Sequence, residues 1–169
     1  MKCKYIIGLA ITGIIVIGVI VAALIIARQP KYEVMAGKLS IDLASNSSLS
    51  IEPCKVKVKN LDNGLVVIPL VVFNDTDSQI DYAMSPRIPD MTTIGYAACY
   101  FNSEVVVTTD KEGYEHLSLL PHTKDTINIC IGLEEGKKLT QDYEAWISIM
   151  PVPNGILNTE MCLRILIQK

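Results

Sequence analysis

From Tyr5 to Ala27 the chain carries no charged side chain, only Ile, Val, Leu, Ala, Gly, Tyr and one Thr. At 1.5 Å per residue this run makes a helix of about 34 Å, enough to cross a hydrocarbon core of about 30 Å. It reads as a transmembrane helix, so whatever follows must fold on one side of a bilayer. The rival is a cleaved signal peptide, whose apolar region is about 7 to 15 residues and ends in small residues. Here the run is longer, and Ile25 stands where a small residue is needed for cleavage after Ala27. Tyr5 and Tyr32 bracket the run at the depth where amphipathic rings prefer to sit. Gly8, Gly13 and Gly18 recur every five residues and so build no single helix-packing face.

Orientation is nearly balanced by charge: Lys2, Lys4 and the amino terminus lie on one side, Arg28, Lys31 and Lys38 on the other. Two features favour an outside carboxyl-terminal domain. Asn46-Ser47-Ser48 and Asn74-Asp75-Thr76 match the N-glycosylation pattern, and four of the five cysteines lie beyond the helix. The expectation is a single-pass cell-membrane protein with an extracytoplasmic domain and glycan sites at Asn46 and Asn74. A net charge of -3 without a basic cluster argues against nucleic acid.

Residues 1–4 form a short tail, 5–27 the membrane span in contact with lipid, 28–48 a juxtamembrane linker and 49–169 the domain. Pro30 stops the helix, and the polar Ser-Asn-Ser-Ser stretch at 45–48 loosens the linker, which holds one short strand over 38–43. Beyond residue 49 no period of 3.6 is sustained. Alternation over five to nine residues recurs instead, punctuated by Gly, Pro, Asn and Asp. "CKVKVKN" at 54–60 sets Cys54, Val56 and Val58 against Lys55, Lys57 and Lys59, as in a strand wet on one side. "LVVIPLVVF" at 65–73 is apolar on both faces like a central strand, yet Pro69 cannot donate to a ladder and marks a strand start, bulge or edge. With "QIDYAMS", "EVVVTT", "HLSLL", "DTINICI", "DYEAWISIM" and "MCLRILIQ", about eight strands occupy some 120 residues, the density of a β-sandwich. The fold expected is all-β, an immunoglobulin-like sandwich of about seven to eight strands preceded by one N-terminal transmembrane α-helix. An irregular segment at 86–102 reads as a crossover loop between sheets.

"LSIEP", "VIPLVVFNDTDSQIDY", "LLPHTKDTINICI" and "DYEAWISI" appear in an order that resembles the immunoglobulin-like sandwiches of membrane-anchored prokaryotic surface proteins, akin in pattern to the major sperm protein and pilus-chaperone group. The resemblance covers roughly residues 49–168. It departs where Gln141-Asp142 precede the penultimate strand's tyrosine in place of a glycine. It implies a binding role, as a surface-layer-associated or accessory subunit with protein partners in the membrane or envelope. The architecture is also similar to the archaeal flagellar stator type, a likeness of arrangement alone.

Candidate chemistry is sparse. A helix-loop-helix calcium loop starting at Asp75 would need Gly at its sixth position and Glu at its twelfth, where Ile80 and Pro86 stand. His116 and His122, six residues apart, would lie roughly 20 Å apart on one strand, too far to share an ion. No G-x-S-x-G elbow and no C-x-x-C pair occurs. The expectation is therefore a protein that is not an enzyme and takes no cofactor, metal or small-molecule substrate. The alternatives are a pilin- or stator-like filament component and a small anchored hydrolase or metal-dependent enzyme. Cys54, Cys99, Cys130 and Cys162 are even in number and allow two disulfides in three connectivities. Trp146 is the only tryptophan. In "DYEAWISIM" the alternation assigns Tyr143, Ala145, Ile147 and Ile149 to the core and throws Trp146 onto the outer face, where it needs cover by the 86–102 segment or a protein partner. Tyr96, Tyr100 and Phe101 of that segment complete the aromatic candidates for an interaction.

Overall fold

The computed structural model describes residues 20–44, 47–100, 108–109, 115–152 and 160–169. It is an all-β sandwich of two sheets. β1 (Lys31–Ala36), β4 (Lys55–Lys59), β12 (Met161–Ile167), β11 (Tyr143–Pro151), β6 (Ile80–Arg87), β9 (Glu115–Leu119) and β8 (Thr108–Thr109) lie side by side in that order in one sheet. β2 (Leu39–Ala44), β3 (Ser47–Glu52), β5 (Val66–Asn74), β10 (Lys124–Leu133) and β7 (Ile94–Tyr100) form the other. Every pairing is antiparallel except β4 with β12.

Period-two alternation decides which side chains meet between the sheets. Ile127, Ile129 and Ile131 of β10 and Ile68, Leu70 and Val72 of β5 face Ala145, Ile147 and Ile149 of β11 and Leu163, Ile165 and Ile167 of β12, all buried. Branched side chains dominate because they fit a pleated surface with little rotamer freedom to lose. Pro69 sits in the middle of β5, yet β3 pairs only with Val71–Asn74. At Pro69, β5 has β10 on one side, opposite Asn128, and no β3 residue on the other. A strand open on one side tolerates a residue without N–H.

Two expectations are corrected. The stretch 28–48 is not a linker: β1 covers β4 and β2 covers β3, so β4 is an interior strand and the sandwich begins at Lys31. The segment 86–102 is not a crossover loop. β6 runs through Pro86 to Arg87, a tight turn follows in which Thr93 and Ile94 donate to the Asp90 carbonyl, and β7 pairs with β10 along its whole length. Gly95 and the small residues after it hide the strand in the sequence. A Cβ at Gly95 would stand 2.7 Å from Oε1 of Glu134, the far end of an exposed side chain that can swing aside.

Among the described residues no helix is long and apolar enough to cross a membrane. The described helix is residues 20–28, and residues 5–19 of the expected span lie outside the described residues. That helix runs into the sandwich: Asn60 Nδ2 donates to the carbonyl of Ala27 at 3.3 Å, and Pro30 packs beside Gly64. The pole of the sandwich holding residues 60–65 is thus the one next to the helix.

Candidate interaction face

Strand register sets Trp146 in the centre of the outer face of the seven-stranded sheet. Opposite it stand Arg164 on β12 and Arg87 on β6, and Arg164 in turn pairs with Lys55 on β4. One row across four strands therefore reads Arg87, Trp146, Arg164, Lys55. Trp146 is half-buried. Arg164 is held by Glu144 at 2.6 Å and Arg87 by Glu160 at 3.5 Å, both pairs partly open to solvent. Further along the same face Lys59 meets Glu33 at 2.8 Å, an exposed pair that draws the Glu33 carboxyl below its usual range. Beneath the row, Ser148 is fully buried and its hydroxyl lies 3.6 Å from the Cys162 thiol. Burial pushes that thiol's pKa up.

The sequence placed Trp146 outward, and the structure has it there. Its neighbours were not legible. Arg87, Arg164 and Lys55 are scattered over more than a hundred residues, and only their outward alternation hinted at a shared face. The segment 86–102 contributes Arg87 beside Trp146, whereas β7 lies in the opposite sheet. Tyr96 packs against the core from β7 and so does not join an exposed aromatic cluster. The backbone of Tyr100 pairs with Ile127, and Phe101 lies outside the described residues.

Asn74 is corrected as a glycan site. It is 1% exposed, and its Nδ2 donates to the carbonyls of Ser78, Leu119 and Leu120 at 2.9, 3.0 and 2.9 Å. Its Oδ1 accepts from the Thr76 N–H at 3.0 Å. The nitrogen that would carry a sugar is the pin joining the β5–β6 turn to the end of β9. Asn46 lies outside the described residues. The acids beside Asn74 disperse: Asp75 pairs with Lys38, Asp77 with His122, and Asp81 accepts from Ser118 and Gln79. Among the described residues no three His, Cys, Asp or Glu side chains group as metal ligands.

Cys54, Cys99, Cys130 and Cys162 are free thiols. Cys54 packs against the core and Cys162 faces outward beside Ser148, so these two are on opposite sides of their sheet. Two of the clefts lined by described residues are shallow. One, of about 350 Å³, lies between Leu61–Leu65 and the Gly132–Lys137 turn; the other, of about 280 Å³, is lined by Met35, Lys57, Tyr143 and Leu166 among others.

No family model matches the chain, and no curated protein matches it. Among solved structures it is similar to the ASH/PapD-like domain 7 of human CEP192, at 10% identity over 76% of this chain and 89% of that one, with a TM-score of 0.47. It is similar to the E. coli chaperone DraB, at 17% identity over 72% of this chain and 55% of that one, with a TM-score of 0.43. It also resembles the collagen-binding subdomain of the Enterococcus faecalis surface protein ACE, at 11% identity over 78% of this chain and 94% of that one, with a TM-score of 0.36. These are PapD-like and immunoglobulin-like sandwiches, and the fold stated here rests on the strand order itself.

Proposed function

We propose that this chain is a membrane-anchored binding module. Residues 5–27 hold it in the bilayer, the sandwich stands outside the cytoplasm, and it serves as an accessory or surface-associated subunit that binds a protein and transforms no substrate. The observation that carries the reading is the row Arg87, Trp146, Arg164, Lys55 on one outer face. Tryptophan and arginine are the residue types that dominate binding hot spots, and an aromatic at the centre of a flat sheet gains most when a partner completes its burial. The cations select a partner whose contact surface presents carboxylates around an apolar recess, able to take over the roles of Glu144 and Glu160. The apolar run at 5–27 and the contact of Asn60 with Ala27 support an anchor that leads directly into the domain.

The test is purification of the full chain from its own membranes in mild detergent at low salt. A stoichiometric companion is expected, retained by the wild type, lost with Trp146→Ala and weakened at high ionic strength. A monodisperse chain without companions contradicts the reading. Topology is tested separately by protease accessibility of the domain on intact cells, where protection of the sandwich reverses the orientation.

A further inference from the structure

On the outer face of the five-stranded sheet, register places Cys99 of β7 opposite Asn128 and Cys130 of β10 opposite Ala97. The two cysteines are therefore diagonal neighbours on the same face of an antiparallel pair, and the Cys130 thiol lies 3.9 Å from the carbonyl oxygen of Asn128, the residue opposite Cys99. Cys99 is exposed and Cys130 half-buried. The neighbours on that face, Ala97, Asn128, Val67 and Thr126, are uncharged. Burial and the neighbouring sulfur hold the Cys130 thiol above its ordinary range. Cys54 and Cys162 belong to the other part of the fold, one against the core and one beside Ser148, and neither lies on this face.

We propose that Cys99 and Cys130 form a reversible cross-strand disulfide that staples the edge strand β7 to β10. Diagonal positions of an antiparallel pair have Cα atoms about 7–8 Å apart, slightly beyond the span a relaxed disulfide prefers. Closing the bond thus asks β7 to shift toward β10. It can do so because, among the described residues, it is the edge strand of its sheet and is bonded to β10 alone. A bridge made in this way is exposed and readily reduced, which are the properties of labile disulfides and not of permanent ones. In the balanced step, the two thiols lose two protons and two electrons and form one S–S bond. A disulfide oxidant such as oxidised glutathione takes these up and leaves as two thiols. The inference does not depend on the interaction face or on which side of the membrane the domain lies.

The experiment uses the purified full chain in detergent, equilibrated with oxidised glutathione, alkylated under denaturing conditions and digested with trypsin without reduction. Cleavage at Arg87, Lys111, Lys124 and Lys137 puts the two cysteines in separate peptides, 88–111 and 125–137. The expected result is one cross-linked species joining these peptides, 2 Da lighter than their sum, while Cys54 and Cys162 are alkylated. Loop-closure entropy predicts a rise in Tm of about 5 °C or more, reversed by dithiothreitol and absent in the C99S/C130S double variant. Full alkylation of Cys99 and Cys130 at oxidant concentrations that oxidise a model dithiol overturns the proposal, as does pairing of either one with another cysteine. An unchanged response to oxidant in the folded double variant overturns it equally.

Discussion

The outer faces of the two sheets are built on the same inner pattern and differ in what they show to solvent. Over the seven-stranded sheet lie Arg87, Arg164, Lys55, Lys57 and Lys59 with Glu33 and Glu144, and Trp146 is set among them. Over the middle of β5, β10 and β7 lie the uncharged Val67, Pro69, Val71, Thr126, Asn128, Cys130, Ala97 and Cys99, while Lys124 of β10, Glu52 of β3 and Lys38 over the Phe73 ring stand toward the margins of that face. Alternation fixes only that every second residue points outward. What stands there is free of the packing demands of the core, so the contrast is not dictated by the fold. Ion pairs at half-exposed positions contribute little to folding, about 1 kcal/mol or less each, so the charged face is not explained by stability.

The largest effects should be indifferent to the contrast. Ile147→Ala, beneath the charged face, and Ile129→Ala, beneath the uncharged one, should each cost about 2–5 kcal/mol by denaturant unfolding, because both truncate fully buried side chains. A several-fold disparity between them would show that the two halves of the core are not equivalent. Asn74→Ala should cost about 2–3 kcal/mol by leaving three buried or part-buried carbonyls without their donor. Little change in Tm would mean that water replaces the amide. Trp146→Ala should cost about 1–3 kcal/mol of stability, less than a core truncation because the ring is only partly covered, while abolishing companion binding. Val67→Ser, at a 45% exposed position on the other face, should alter neither.

The smallest effect concerns pH. The Asp90 carboxyl lies below its ordinary 3.8 because the Thr92 hydroxyl and N–H and the Tyr143 hydroxyl donate to it. A carboxyl depressed in the folded state contributes stability above its unfolded pKa and loses it as pH falls through the folded value. Asp90→Asn should therefore flatten the acid limb of a stability profile below about pH 4 and leave the neutral region parallel to wild type. An unaltered acid limb would show that these hydrogen bonds do not persist in solution.

The strands with strict alternation were legible in the sequence: Val56 and Val58 of β4, the isoleucines of β10, and the outward turn of Trp146 in β11. What failed had a physical cause in each case. β7 was read as loop because Gly95, Ala97 and Ala98 carry no periodic signal, and the strand exists by pairing with β10, distant in sequence. β1 was read as linker because its own alternation is masked by exposure along almost all its length, and it exists by pairing with β4. Asn74 matched a glycosylation pattern that says nothing about burial. Its role depends on carbonyls more than forty residues away. The Trp146 row is a product of register, which a single sequence does not display.

The central claim is that the charged face around Trp146 engages a partner and the uncharged face does not. The most direct measurement replaces Trp146 and, separately, Val67 with a photo-crosslinking amino acid in the full chain, irradiated in its own membranes. The account predicts one discrete adduct from position 146 and none from position 67. Adducts from position 67 alone, or the same adducts from both positions, would contradict it.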